Sequence, residues 1–379
     1  MIRICAGNPE AWLERYRGKQ PLYVCILSYT HTGTIPGISA AGITPQARQY
    51  TALADGEYLL SHSQTHYQLP PLQAGVSPAL ISRALLTQHK IPCCLVSTGL
   101  PGKLTVPHVA MGSVMASSLE TSNAMTFDQV NQLFECGLRW GRRLSQLFAG
   151  RYLILGECVV GGTTTAQALL SALGYEVSGL MSSSHPSGNH RQKQMLVSRG
   201  LAGWRNKKDL SALAAVAAIG DPMQVVASAI ALAASQSVGV LLAGGSQMLA
   251  VYALIKAISL GAASLGAAHR RQVSEQIIVG TTRWVAEDAS ANTALIAQSV
   301  GAPYVASEID FSHSSYAQLR AYERGFVKEG VGAGGCAIAA SLLSGWGQSQ
   351  IMRAVESELE ATYWNRHARI CSSSAAIRL

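Results

Sequence analysis

Short apolar runs alternate along the chain with segments of helical spacing. Each run of four or five residues ends in small or hydroxyl residues, and a helical pattern follows. The runs cover residues 23–27, 92–96, 151–155, 238–242 and 276–279. Short buried strands that alternate with helices are typical of a parallel sheet covered by helices. The pattern predicts an α/β fold whose ligand lies beyond the carboxyl ends of the strands.

Helical patterns also occur near both ends of the chain. Residues 350–363 form a clear amphipathic pattern, and residues 11–17 and 127–147 also have helical spacing. We expect these helices to group into a small subdomain or to join a dimer interface. The domain boundaries that we predict are 20–345 for an α/β nucleotide-binding domain and 1–19 with 346–379 for the helical segments.

Composition narrows the class of protein. The chain has 379 residues, of which 48% are hydrophobic and 13% charged, and this balance favours a buried core over long disordered regions. The most apolar region, residues 225–258, is interrupted at 235–237 and 244–247. A membrane span needs about 20 uninterrupted apolar residues. Since the N-terminus also lacks an apolar signal segment, we expect a cytoplasmic protein with no membrane association.

Charge and cysteine content argue against two further classes. The net charge of +8 is spread out and forms no basic stripe interleaved with aromatic residues, so we expect no nucleic-acid partner. Small anionic substrates account for the surplus of positive charge equally well. The eight cysteines include no Cys-x-x-Cys pair and no zinc spacing. They predict free thiols in a reducing compartment and no metal site.

The segment 155–166, Leu-Gly-Glu-Cys-Val-Val-Gly-Gly-Thr-Thr-Thr-Ala, connects a predicted strand to a predicted helix. Its glycines let backbone N–H groups approach a phosphate, and the helix N-terminus adds partial positive charge. The segment lacks the Gly-Lys-Ser/Thr of a Walker loop, which disfavours nucleotide hydrolysis and kinase activity. It also carries Glu157, and an acid beside a phosphate site is electrostatically unfavourable unless it has a role in the chemistry.

A second segment repeats this combination. Residues 326–340, Phe-Val-Lys-Glu-Gly-Val-Gly-Ala-Gly-Gly-Cys-Ala-Ile-Ala-Ala, place Glu329 immediately before a glycine-rich turn and a helix of small residues. From the residues alone, a glutamate in this position is more often a solvated loop carboxylate than a catalytic group.

Together the two segments resemble the nicotinate-nucleotide–dimethylbenzimidazole phosphoribosyltransferases of cobamide synthesis. That family shows Gly-Glu-Met-Gly-Ile-Gly-Asn-Thr-Thr in the first place and Gly-Glu-Gly-Thr-Gly-Ala in the second. Residues 221–225 and 240–244 look like its Asp-Pro-x-x-Val and Val-Leu-Asp-Gly. The resemblance covers about residues 151–340. It implies a Rossmann-like parallel sheet and a homodimer.

Other positions depart from the family. Ala243 stands where bacterial members have an aspartate, and residues 279–287 differ from their Gly-His-x-Ser-x-Glu segment. Residues 37–42 and 244–248 look instead like a divergent archaeal and cyanobacterial branch. These departures leave open a non-catalytic protein of the same fold that binds a mononucleotide as a regulatory or assembly protein.

The resemblance implies transfer of the phosphoribosyl group of nicotinate mononucleotide to an aromatic base, either 5,6-dimethylbenzimidazole or an adenine-like base. The product is an α-ribazole-type phosphate, the lower-ligand nucleotide of a cobamide. Nicotinate mononucleotide is then a substrate, and no cofactor is implied. No metal is implied either, because there is no pyrophosphate to neutralise.

The same resemblance assigns roles to individual residues. Glu329 is the implied general base, and Glu157 is a second carboxylate of less defined role. Lys193 is implied at the phosphate, although a surface cation is an equally good interpretation. The other residues expected to bind the nucleotide are Gly161, Gly162, Thr163 and Thr164 at the phosphate, Gly244, Gly245 and Ser246 near the donor, and Thr281 and Thr282 at the ribose.

Overall fold

The computed structural model describes residues 1–42, 44–61, 65–69, 74–112, 114–186, 188–261 and 267–375. The strands are β1 (Ile2–Ala6), β2 (Leu22–Ser28), β3 (Cys93–Thr98), β4 (Val109–Ala110), β5 (Tyr152–Cys158), β6 (Gly239–Ala243), β7 (Ile277–Thr282) and β8 (Tyr304–Ser307). Each of the five predicted apolar runs overlaps a strand, with four of them beginning one residue before it.

Sixteen α-helices occur within the described residues. They are α1 (Glu10–Tyr16), α2 (Pro45–Arg48), α3 (Thr51–Leu60), α4 (Ala79–Gln88), α5 (Phe127–Leu147), α6 (Gly162–Ala172), α7 (His190–Arg205), α8 (Ala212–Ile219), α9 (Pro222–Ala234), α10 (Gly245–Gly261), α11 (Ala267–Gln276), α12 (Arg283–Ala286), α13 (Thr293–Val300), α14 (Ala317–Glu323), α15 (Ala333–Ser344) and α16 (Gln348–Ala375). No helix in the described ranges has both the length and the apolar content to cross a membrane.

The eight strands form one sheet in the order β1-β8-β7-β6-β5-β2-β3-β4. Every neighbouring pair is parallel except β1 with β8, which is antiparallel. The central strand β5 lies between β2 and β6, with Leu22 opposite Leu153 and Tyr152 opposite Gly239. Parallel strands that begin and end together bring their carboxyl-end loops to one edge. The predicted α/β class with a parallel sheet is confirmed.

Helices cover both faces of the sheet. Along β5, Leu153 and Leu155 belong to one buried cluster, whereas Tyr152 and Ile154 belong to the other. This alternation follows from the two-residue period of a strand. Helices α5–α11 and α13 pack on the first face, and α1, α3, α4, α12 and α14–α16 pack on the second.

The predicted grouping of the helix over 127–147 with the helix over 350–363 is wrong. This helix exists as α5, but it packs against α9, on the face of the sheet opposite α16. A Cβ atom on Gly137 would lie 2.6 Å from the Cβ of Ala229, and one on Gly141 would lie 2.5 Å from the Ile230 carbonyl oxygen. The two glycines, one helical turn apart, therefore allow a close approach to α9.

The N-terminal segment is also only partly helical. Residues Ile2–Ala6 form edge strand β1 instead of a helix, and α1 follows at Glu10–Tyr16. The indole Nε1 of Trp12 donates to the Gln276 carbonyl at 2.8 Å, which attaches α1 to the sheet. The domain boundaries and the dimer contact stay predictions, and residues 376–379 lie outside the described part of the chain.

Candidate active site

A cavity lies beyond the carboxyl ends of β5 and β6, where a parallel sheet is expected to bind its ligand. The predicted site residues at its surface are Glu157, Gly161, Gly162, Thr163, Gly244, Gly245, Ser246 and Glu329. Four other predicted residues are buried, and the described lining of the cavity does not include them: Thr164, Lys193, Thr281 and Thr282. Most of the predicted site therefore comes together around one cavity.

The glycine turn after β5 leaves a helix N-terminus open to the cavity. Gly161 is the N-cap residue of α6 and has φ = +88°, with no side chain that caps the helix. A Cβ atom at this position would lie 2.7 Å from the Gly33 nitrogen, so both the backbone angle and the packing require glycine. The first N–H groups of a helix attract anions, most strongly when no side chain caps them.

The buried carboxylate of Asp221 stabilises the helix that follows this turn. Asp221 accepts a hydrogen bond from Thr165 Oγ1 at 2.6 Å and also caps the N-terminus of α9 through Gln224. Burial raises the pKa of Asp221 to about 6, against these hydrogen bonds. The Asp-Pro pair of the sequence therefore ties the N-terminal turns of α6 and α9 together.

Gly244 precedes α10 and Gly245 begins it, with φ values of +155° and +51°. Such angles are unfavourable for residues that carry a Cβ. Ser246 Oγ accepts a hydrogen bond from the Ser182 N–H at 3.1 Å, and both residues line the cavity. A second helix N-terminus therefore contributes to the same cavity as the first.

Glu157 is 2% exposed and accepts two hydrogen bonds. Gln247 Nε2 donates to its Oε1 at 2.8 Å, and the Val159 N–H donates to its Oε2 at 3.1 Å. Burial raises the pKa of Glu157 to about 8, and the nearby charges of Asp221 and Glu329 act in the same direction. At neutral pH this side chain is mostly protonated and can donate a hydrogen bond.

Glu329 accepts four hydrogen bonds. Its Oε2 accepts from Thr281 Oγ1 at 2.9 Å and from the Thr282 N–H at 2.8 Å. Its Oε1 accepts from the N–H groups of Gly334 at 3.1 Å and Gly330 at 3.3 Å. A carboxylate has about four acceptor sites, so these donors occupy all of them. Burial raises the pKa of Glu329, and the hydrogen bonds oppose the rise.

The segment that carries Glu329 has an unusual backbone. Val327, Lys328 and Val331 have φ values of +68°, +67° and +52°. Each non-glycine residue in this region costs about 1–3 kcal/mol, and such strain concentrates at functional sites. The Val331 carbonyl accepts hydrogen bonds from Tyr23 Oη and Ser82 Oγ. The Val331 N–H donates to the Glu157 carbonyl at 2.9 Å, so the two glutamate loops are directly joined.

The structure gives the two predicted ribose-binding threonines contacts inside the protein. Thr281 Oγ1 donates to Glu329, and Thr282 Oγ1 donates to the Lys328 carbonyl at 2.6 Å. Gly334 approaches the same strand so closely that a Cβ atom would lie 2.1 Å from the Thr281 carbonyl carbon. These contacts hold the Glu329 loop against the end of β7.

Lys193 is fully buried, so the surface-cation interpretation is wrong. Its Nζ has no hydrogen-bond partner among the described residues. Burial lowers the pKa of Lys193 to about 7, Lys328 lowers it further, and Asp288 opposes both effects. Lys193 is not among the described residues that line the cavity. Its predicted contact with a phosphate stays a prediction.

Sequence reasoning missed four further residues. Lys328 lines the cavity and forms a buried ion pair with Asp288, with Nζ and Oδ2 2.6 Å apart. Gln247 connects Glu157 to the start of α10. Asp55 also lines the cavity, accepts hydrogen bonds from Ser77 Oγ and Cys158 Sγ, and has its pKa raised to about 6 by burial. Lys328 and Gln247 lie inside the recognised segments 326–340 and 244–248, whereas Asp55 and Asp288 lie in neither.

The described side chains offer no grouping suited to a metal ion. They contain no set of three or more histidine, cysteine, aspartate or glutamate residues placed to hold one.

The chain belongs to the nicotinate-nucleotide–dimethylbenzimidazole phosphoribosyltransferase family. Its residues 81–281 match the family model described as phosphoribosyltransferase. This confirms the family predicted from the two glutamate–glycine segments, and it identifies the protein as a member of a transferase family.

Three similar cyanobacterial proteins carry the name UPF0284 protein. The chain is 48% identical to that of Gloeothece citriformis (strain PCC 7424) over 351 residues, which are 92% of this chain and 93% of the relative. It is 49% identical to that of Trichodesmium erythraeum (strain IMS101), and the match covers 94% of this chain and 97% of the relative. It is 46% identical to that of Nostoc sp. (strain PCC 7120), and the match covers 95% of this chain and 99% of the relative.

Two solved structures share the fold. The crystal structure of CobT from Thermus thermophilus has a TM-score of 0.57 at 16% identity, covering 89% of this chain and 84% of the other. The structure of nicotinate-nucleotide–dimethylbenzimidazole phosphoribosyltransferase from the same organism has a TM-score of 0.56 at 16% identity, covering 89% and 86%.

Proposed function

We propose that the protein transfers the phosphoribosyl group of nicotinate mononucleotide to a ring nitrogen of an aromatic base, either 5,6-dimethylbenzimidazole or an adenine-like base. The product is an α-ribazole-type phosphate for the lower ligand of a cobamide. One observation carries the proposal: a single cavity is lined both by the uncapped N-terminus of α6 and by the carboxyl groups of Glu157 and Glu329. The proposal includes a homodimer, which the family resemblance implies, and a cytoplasmic location, which the sequence predicts.

The donor phosphate binds at the turn of Gly161, Gly162 and Thr163. The partial charge of the α6 N-terminus stabilises the phosphate, and the start of α10 at Gly245 adds a second helix end of the same sign. Glycine at 161 and 162 places no side chain between the backbone of the turn and the phosphate. This arrangement needs no lysine in the turn itself.

In the reaction, the lone pair of the acceptor nitrogen attacks C1′ of the ribose. The bond between C1′ and the pyridinium nitrogen breaks, and its electron pair stays on the ring, which leaves as nicotinate. The ring N–H proton of the acceptor base passes to Glu329, so that the product base is neutral. To receive it, Glu329 exchanges one of its four donors, and the Gly330 N–H, at 3.3 Å, is the longest of these contacts.

Glu157 has a different part in this scheme. With a pKa of about 8 it is mostly protonated at neutral pH, so its O–H donates to a hydroxyl of the ribose or to the acceptor. The negative charge of Glu329 then faces the positive charge that develops on the sugar without a second carboxylate beside it. A similar division between a protonated and an ionised carboxyl group operates in glycoside hydrolysis.

A second candidate is a mononucleotide-binding regulatory or assembly protein without turnover. Two observations favour it. The four donors around Glu329 occupy its acceptor sites. Ala243 also offers no side-chain acid and packs instead against α15, where a Cβ atom on Gly335 would lie 2.3 Å from the Ala243 Cβ.

One assay separates the two candidates. The protein is incubated with nicotinate mononucleotide and a panel of bases that includes 5,6-dimethylbenzimidazole and adenine, and released nicotinate is measured by chromatography. Release that depends on the base supports the transferase. Saturable binding in calorimetry with no release from any base supports the regulatory protein, and the absence of both rejects the two proposals together.

A further inference from the structure

Lys328 and Asp288 form a buried ion pair directly beside Glu329. Lys328 precedes Glu329 in the chain, and both side chains of the pair are 3% exposed. Besides its 2.6 Å contact with Asp288 Oδ2, Lys328 Nζ donates to the His185 carbonyl at 3.1 Å. Removing two charges from water is unfavourable, and it is compensated only by close geometry and further hydrogen bonds.

Asp288 has those further hydrogen bonds. Ser182 Oγ donates to its Oδ2 at 2.7 Å, and the Oγ and N–H of Ser290 donate to its Oδ1 at 2.8 and 3.0 Å. The N–H of Ser182 in turn donates to Ser246 Oγ at the start of α10. A continuous network therefore runs from the Glu329 loop to the helix end that faces the donor nucleotide.

The backbone at Lys328 needs such support. Val327 and Lys328 lie in consecutive left-handed conformations, which are unfavourable for side chains with a Cβ. Thr282 Oγ1 holds the Lys328 carbonyl, while Asp288 holds its ammonium group. Since the peptide after Lys328 leads directly to Glu329, a rotation at Lys328 displaces the carboxylate.

We propose that the buried Lys328–Asp288 pair positions Glu329, so that Lys328 acts through Glu329 and not on the substrate. This inference deepens the proposed function and rests on it for its effect on turnover. The effect on the Glu329 loop is independent of any substrate.

The loop is tested first by hydrogen exchange in the full-length protein without substrate. The N–H groups of Thr282, Gly330 and Gly334 report on Glu329 because they donate to it. In Lys328→Met these amides exchange faster by about tenfold or more, as local opening becomes easier. Lys256→Met is the matched control, since Lys256 Nζ donates to the Val300 carbonyl away from the cavity. It leaves the three amides unchanged.

Turnover is tested second. A displacement of about 1 Å can reduce a rate by about 10²-fold, so Lys328→Met lowers kcat by that order while KM for nicotinate mononucleotide stays close to the wild-type value. Lys328→Arg, which keeps the charge, recovers part of kcat. A raised KM with unchanged kcat overturns the inference, because it makes Lys328 a substrate contact.

The two failures are distinguishable. If the wild-type protein releases no nicotinate with any base, the proposed function fails, whereas the exchange test still decides the inference. Unchanged exchange of the three amides in Lys328→Met overturns it. If that variant does not fold, Asp288→Asn takes its place, with faster exchange expected and unchanged exchange again contradicting the inference.

Discussion

Glu157 and Glu329 each precede a glycine turn at the carboxyl edge of the sheet, but their surroundings differ. Two donors reach Glu157, which is fully buried and mostly protonated at neutral pH. Four donors reach Glu329, which lies on a strained backbone segment next to a buried lysine. The two loops are joined by one hydrogen bond, from the Val331 N–H to the Glu157 carbonyl.

The motif places a carboxyl group at the cavity in each loop, and burial raises the pKa of both, with four donors opposing the rise at Glu329 and two at Glu157. Donors favour the ionised form, and burial without enough donors favours the neutral form. In our account the first loop holds the phosphate and supplies a neutral hydrogen-bond donor. The second loop supplies the ionised base.

The largest expected effect comes from removing the base. Glu329→Gln keeps the shape of the side chain but cannot take a proton, so kcat falls by about 10²–10⁴-fold. The Kd for nicotinate mononucleotide in calorimetry stays unchanged, because the phosphate site is on the other loop. The exposed Glu275→Gln variant is the control. Wild-type turnover in Glu329→Gln would show that Glu329 is not the base.

The next effect concerns stability and tests the protonated state of Glu157. Burial raises its pKa from the ordinary 4.5 to about 8. Below pH 4.5 the folded and unfolded states both hold the proton. As pH rises from 4.5 to 8 the unfolded state loses its proton first, so the wild-type protein loses stability that Glu157→Gln keeps.

The difference in the free energy of unfolding between Glu157→Gln and the wild type therefore grows by about 1.4 kcal/mol per pH unit between pH 5 and 8, and then levels. Urea denaturation at pH 5, 6.5 and 8 measures it. Comparing the variant with the wild type at each pH cancels the contributions of other groups, such as Lys193. A difference that does not change with pH contradicts a neutral Glu157.

The smallest expected effect concerns the phosphate turn. Gly161→Ala and Gly174→Ala change glycines at the two ends of α6 that have nearly the same φ, +88° and +91°. An alanine in either place costs about 1–2 kcal/mol of stability. Only at Gly161 does the new methyl group meet backbone, 2.7 Å from the Gly33 nitrogen, whereas nothing lies within 4 Å at Gly174.

Gly161→Ala therefore weakens binding of nicotinate mononucleotide in calorimetry, and Gly174→Ala does not. Equal loss of affinity in both variants, or in neither, would place the phosphate away from the α6 N-terminus.

The strands that the sequence predicted contain continuous apolar runs, have five to seven residues and lie in the middle of the sheet. The missed strands, β1, β4 and β8, have two to five residues and lie toward the edges of the sheet. Length alone does not explain the difference, since β6 also has five residues, but the pairing of these edge strands depends on neighbours distant in the chain. β1, for example, pairs with residues about 300 positions later.

Local requirements also explain which parts of the site were predictable. Glycine at 161 is needed by its own backbone angle, so the turn is visible in the sequence. The Lys328–Asp288 pair, by contrast, joins residues 40 positions apart. The raised pKa of Glu157 and the burial of Lys193 arise from tertiary packing, which leaves no local pattern.

The central claim is that both glutamate loops face one sugar. A crystal structure with bound nicotinate mononucleotide tests it most directly. Our account predicts the phosphate at the turn of Gly161, Gly162 and Thr163, with C1′ between the carboxyl groups of Glu157 and Glu329. A phosphate bound away from this turn, with C1′ remote from Glu329, would contradict it.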